Sequence, residues 1–80
     1  MARAKYIKTE NDDIIVFGEN MFHSDFINMN PVSAGFIDFR INKDGNPSCM
    51  CYGGSISLGL TSDEEEDTDL AQRQLGFRYY

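Results

Sequence analysis

Cysteine, histidine and proline are scarce in this 80-residue chain: two Cys, one His and two Pro. Cys49 and Cys51 stand at C-x-C spacing, which is not the disulfide framework that a small secreted domain uses. Reduced thiols and a cytoplasmic setting are expected. No apolar run reaches the length needed to cross a bilayer, and the opening segment Met1-Ala2-Arg3-Ala4-Lys5-Tyr6 carries charge with no apolar stretch behind it, so neither a spanning helix nor a secretory signal is expected. Basic residues are outnumbered, 7 Lys and Arg against 13 Asp and Glu, for a net charge of −6. With a pI near 4.4, direct nucleic-acid contact is disfavoured. The lone histidine, His23, leaves too few acid–base groups for an ordered catalytic set, so no enzyme is expected.

What is present is ordinary globular material. Hydrophobic residues make up 41% and charged residues 25% of the chain, well away from the composition of disordered segments. Repeats, low-complexity linkers and composition shifts that would divide the chain are missing, so residues 1–80 read as a single domain. So small a domain has a thin stability margin, and a homo-oligomer is expected.

The pattern predicts an α+β fold, a small antiparallel sheet of four or five strands with one short helical segment and a C-terminal helix. Ala4 to Thr9 and Ile14 to Phe17 read as strands joined by the turn residues 10–13. Met21, Phe22, Phe26 and Met29 recur at three-to-four spacing, as in one or two helical turns that Asn30-Pro31 then stops. From Ala34 to Ile41, Ile37, Phe39 and Ile41 share one strand face and Phe36, Asp38 and Arg40 the other. Asp44-Gly45 is a hairpin signal leading to a strand over Ser48 to Tyr52. After Gly53-Gly54, the alternation of Ile56, Leu58 and Leu60 with Ser55, Ser57 and Gly59 predicts a half-buried strand. Ser62 with Glu65 fits a capping box, Leu70, Ala71, Gln74 and Leu75 form an apolar stripe, Asp69 can pair with Arg73, and Gly76 suits the C′ position.

Three stretches, Asn30-Pro31-Val32-Ser33-Ala34-Gly35-Phe36, Asp44-Gly45-Asn46-Pro47 and Cys51-Tyr52-Gly53-Gly54-Ser55-Ile56-Ser57-Leu58-Gly59-Leu60, resemble small proteins of unknown function encoded by gut bacteria, their phages and mobile elements. The resemblance implies a compact phage- or element-borne protein with a role in host interaction or counter-defence. It implies no catalytic residues.

Charge supplies the most unusual feature. Asp63, Glu64, Glu65, Glu66, Asp67 and Asp69 are six of the 13 acids, and the other seven are matched by seven bases, so the whole surplus sits in this segment. It reads either as a solvated first helical turn or as a docking surface for a basic partner, whether another protein or the chain's own Arg3, Lys5 and Lys8. A metal site is disfavoured, because the spaced ligands and central glycine of a calcium loop are missing.

Other candidates are weaker. Cys49 and Cys51 fall on one strand face as buried thiols or, with His23, as an incomplete metal or redox pair. His23 beside Ser24 lacks any spacing that positions a nucleophile and base. Tyr52, Gly53, Gly54, Ser55 and Ser57 form either a plain glycine turn or a loop that cradles a small anion with Arg40 supplying positive charge. Phe77, Tyr79 and Tyr80 cap the chain's own core or an oligomer interface.

Two functional expectations follow. One is a non-catalytic interaction protein whose acidic helix binds a basic protein surface, acting as an inhibitor or nucleic-acid mimic. The alternative is a protein that sequesters a small anionic ligand, such as a nucleotide signal, at the glycine-rich loop near a subunit interface. Neither needs a cofactor.

Overall fold

The computed structural model describes residues 2–41, 43–45, 47–74 and 78–79. The fold is α+β, as the pattern predicts. Strands β1 (Ala2–Thr9), β2 (Ile14–Phe17), β3 (Pro31–Ile41) and β4 (Pro47–Tyr52) form an antiparallel sheet in the order β4-β3-β1-β2. A 3-10 helix (His23–Met29) precedes β3. After β4 come the short hairpin strands β5 (Gly54–Ser55) and β6 (Leu60–Thr61), helix α1 (Glu64–Arg73) and a two-residue strand β7 (Arg78–Tyr79). Strand β7 joins the free edge of β2 in parallel, pairing Ile15 with Arg78 and Val16 with Tyr79. None of the helices among the described residues is long and apolar enough to cross a membrane.

Both faces of the sheet are used, because the central strand β1 buries its two alternating sets. Ala4 and Tyr6 join Ile14, Val16, Ile37 and Cys51 under α1, where Ala71 and Leu70 close the layer. Ile7 joins Ile15, Phe17 and Ala34 on the opposite face, covered by Phe26 of the 3-10 helix and by Leu58 and Leu60 of the hairpin. Each fully buried aliphatic or aromatic side chain contributes roughly 1.5–3 kcal/mol of transfer free energy. The turns follow the local chemistry: Gly45 takes φ +86° after Asp44, and Asp12 takes φ +64° between β1 and β2. Gly35 is required for packing, since a Cβ there would lie 2.3 Å from the Tyr52 carbonyl oxygen.

Several expectations need correction. The strand over Ser55 to Leu60 is instead a tight hairpin: Ile56 stands fully exposed at its tip, and Gly59 takes φ +66°. The alternating small and apolar residues suit a turn as well as a strand. The short helical segment is present as expected, as a 3-10 helix over residues 23–29, and only Phe22 departs from the pattern by standing exposed. The N-cap of α1 is Asp63, whose carboxylate accepts from the Glu66 amide, and the Ser62 hydroxyl is engaged elsewhere. The helix ends at Arg73; Leu75, Gly76, Phe77 and Tyr80 lie outside the described residues.

Helix α1 also protects the outer edge of β4. The Cys49 amide donates to Gln72 Oε1 at 2.6 Å and the Cys51 amide to Thr68 Oγ1 at 2.9 Å, so two edge N–H groups that would invite another strand are occupied. At the far end of the helix, Gln74 Oε1 accepts from the Ile14 amide and Gln74 Nε2 donates to the Asp12 carbonyl, fastening α1 to the β1–β2 turn.

Candidate functional site: the acidic helix

Helical spacing divides the acidic run. Asp67, Leu70, Ala71 and Gln74 lie at i, i+3, i+4 and i+7, so Asp67 begins the stripe that faces the sheet. The structure buries Asp67 completely, which corrects its assignment to a partner-binding surface. Asp63, Glu64, Glu65, Glu66 and Asp69 are exposed.

Around Asp67 gather Tyr6, Lys8 and Ser33 of the sheet and the backbone of the helix N-cap. Tyr6 Oη and Ser33 Oγ donate to Oδ2 at 2.5 and 2.6 Å, and the Asp63 amide donates to the same oxygen at 3.2 Å. Oδ1 faces Lys8 Nζ at 3.0 Å, an ion pair that meets the second carboxylate oxygen. Because the Tyr6 proton goes to Asp67, the Ser62 hydroxyl, 2.5 Å from Tyr6 Oη, is the donor in that pair. Burial pushes the Tyr6 phenol well above its usual value, and the bond to Asp67 adds to the shift. For Lys8, burial pulls the ammonium down, but the hydrogen bond and charge of Asp67, with Glu66 behind it at 3.4 Å, outweigh this and leave its pKa raised.

Lys8 and Ser33 are brought together by the register of β1 with β3, and a bulge directly follows, where the pairing steps from Lys8–Ser33 to Thr9–Pro31 and leaves Val32 half exposed. Of the chain's own N-terminal bases, then, only Lys8 reaches the acidic run. Arg3 instead holds Glu19 through two hydrogen bonds and lies over the Phe36 ring, 4.9 Å from its centroid. Lys5 donates to the Met21 carbonyl at 2.9 Å.

The outer surface of α1 carries the remaining charge. Asp69 pairs with Arg73 one turn on, and Glu66 shares Lys8. Glu64 and Glu65 make no ion pair among the described residues. With Asp69 they line an open groove of about 430 Å³ between α1 and the edge of β4, together with Met50, Cys51, Thr68 and Gln72.

The glycine-rich loop is arranged differently from an anion cradle. Ser55 is buried, its Oγ 3.2 Å from Ser57 Oγ and accepting from the Leu58 amide, and the Gly53 carbonyl accepts from Ser62. Gly53 takes φ +78°, as a turn requires. Arg40 lies four residues along β3 from Phe36, the partner of Tyr52, or roughly 13 Å away at strand spacing. The structure therefore does not bring Arg40 to Gly53, Gly54, Ser55 and Ser57. Tyr52 stacks beside Phe36 and donates to Asp38.

His23 and the cysteines have structural surroundings. His23 is buried between Phe17 and Phe36, and its Nε2 lies 2.8 Å from the Gly35 carbonyl, which fixes that nitrogen as the donor. Burial lowers its pKa, the nearby Lys5 charge adds to this, and the Gly35 bond opposes it. Cys49 and Cys51 are free thiols on the α1 side of the sheet, and among the described residues no group of His, Cys, Asp and Glu forms a metal-binding cluster. Tyr79, in β7, pairs with Val16 of β2, while Phe77 and Tyr80 lie outside the described residues.

Neither a family model, nor a curated protein, nor a solved structure matches the chain.

Proposed function

We propose that this chain is a non-catalytic binding module that meets a basic protein surface through the outer side of α1. The observation that carries the reading is the division of labour along the acidic run. Asp67 is committed to the interior and Asp69 to Arg73, while Glu64 and Glu65 are exposed and make no ion pair among the described residues. Carboxylates held on a short rigid helix concentrate negative potential, which accelerates encounter with a cationic surface and selects against anionic ones. On a surface that ordinarily holds nucleic acid, such a row would occupy the place of phosphates, the mode of action of an inhibitor by mimicry. A cytoplasmic, homo-oligomeric, phage- or element-borne protein fits this role.

A short labelled peptide of Lys and Arg serves as the probe, with fluorescence anisotropy as the readout. Affinity is expected to fall steeply with ionic strength, and to fall further in a Glu64→Lys, Glu65→Lys double variant, by roughly 0.2–1 kcal/mol for each exposed pair lost. Binding that is indifferent to both salt and charge reversal would overturn the proposal.

A further inference from the structure

We infer that the partner's recognition element is a basic segment that buries one apolar side chain in the groove between β4 and α1, with flanking Lys or Arg residues on Glu64 and Glu65; this rests on the acidic-surface reading above and makes it specific.

The groove joins two features that charge alone does not require. Its lining includes Met50, an apolar residue of the edge strand left 55% exposed. Its rim is acidic, and two of the rim carboxylates make no ion pair among the described residues. Apolar lining and anionic rim together complement an apolar anchor set between cationic side chains.

The manner of binding is also constrained. The outward amides of Cys49 and Cys51 are already bonded to Gln72 and Thr68, so an incoming strand finds no free donors there. Side chains must therefore be what the groove reads. The same groove of a second copy is a poor occupant, because it would set one acidic rim against another.

Two labelled peptides of equal charge, built of Lys and Arg and differing only in a central leucine or serine, test the inference against the intact chain. The leucine peptide is expected to bind about tenfold more tightly. Met50→Ser, an exposed change that leaves the core untouched, should erase that difference while both peptides keep their salt dependence. Glu64→Gln with Glu65→Gln should weaken both peptides alike.

Equal affinity of the two peptides for the unaltered chain overturns the groove and leaves the acidic-surface reading standing, as does a leucine preference that survives Met50→Ser. Failure of both peptides to bind at low ionic strength overturns the acidic-surface reading, and the groove with it. Sedimentation that shows a dimer abolished by Met50→Ser would assign the groove to a second copy and overturn the peptide proposal.

Discussion

Lys8 Nζ and Asp67 Oδ1 lie 3.0 Å apart where Asp67 is wholly buried and the Lys8 side chain is only 8% exposed. The pair fastens the acidic helix to the central strand. Its two members are not equivalent, because Asp67 also receives Tyr6, Ser33 and the Asp63 amide, whereas Lys8 depends on Asp67 and the more exposed Glu66.

Removing the carboxylate should therefore cost more than removing the ammonium. Asp67→Ala strands a buried cation and three donors, and is expected to lose about 3–5 kcal/mol in urea unfolding. Lys8→Met leaves the carboxylate with its three donors and is expected to lose less. The opposite order would show that the network is not organised around Asp67.

Acid sensitivity should come first from His23. The folded chain holds this imidazole below its ordinary value of 6.5, whereas an unfolded chain takes up the proton there. Stability is accordingly expected to decline as pH falls below about 6.5, with a slope of up to about 1.4 kcal/mol per pH unit. His23→Gln, which keeps a donor for Gly35, should flatten that slope in denaturation series between neutral and mildly acidic pH.

The two thiols should react at different rates. Burial pushes the Cys51 thiol up to about 12, with Cys49 and Asp67 adding to the shift, and burial also raises Cys49, which is less enclosed. At mildly alkaline pH a disulfide reagent is expected to label Cys49 first and Cys51 only as fast as the chain opens. Mass spectrometry of partly labelled protein distinguishes the two.

The protected sheet edge offers a separate test. Thr68→Val with Gln72→Leu leaves the Cys51 and Cys49 amides without their acceptors, at an expected cost of about 1–3 kcal/mol each. It also uncovers a strand edge, so concentration-dependent association should appear in sedimentation where the unaltered chain shows less.

Local patterns were enough for much of this architecture. The β1–β2 hairpin, the two faces of β3 and the Asp44-Gly45 turn follow from alternation and turn chemistry over a few residues. The hairpin at Gly54 to Thr61 did not, because Ser-Ile-Ser-Leu-Gly-Leu satisfies a period of two whether or not the chain reverses. Counting acids located the unusual segment and concealed its internal division. Carrying the Leu70, Ala71 and Gln74 stripe back one turn lands on Asp67, a signal present in the sequence. That Tyr6, Lys8 and Ser33 meet it depends on pairing between distant strands, which no local pattern encodes.

The burial of one carboxylate among six gives the acidic tract an address as well as a sum. Permuting the letters of residues 63–69 would preserve isoelectric point, composition and far-field potential, yet most permutations would seat a threonine or a longer glutamate where Tyr6, Lys8 and Ser33 converge. For the fold, a homologous chain should thus be least tolerant of change at the one acidic position of the tract that no solvent touches.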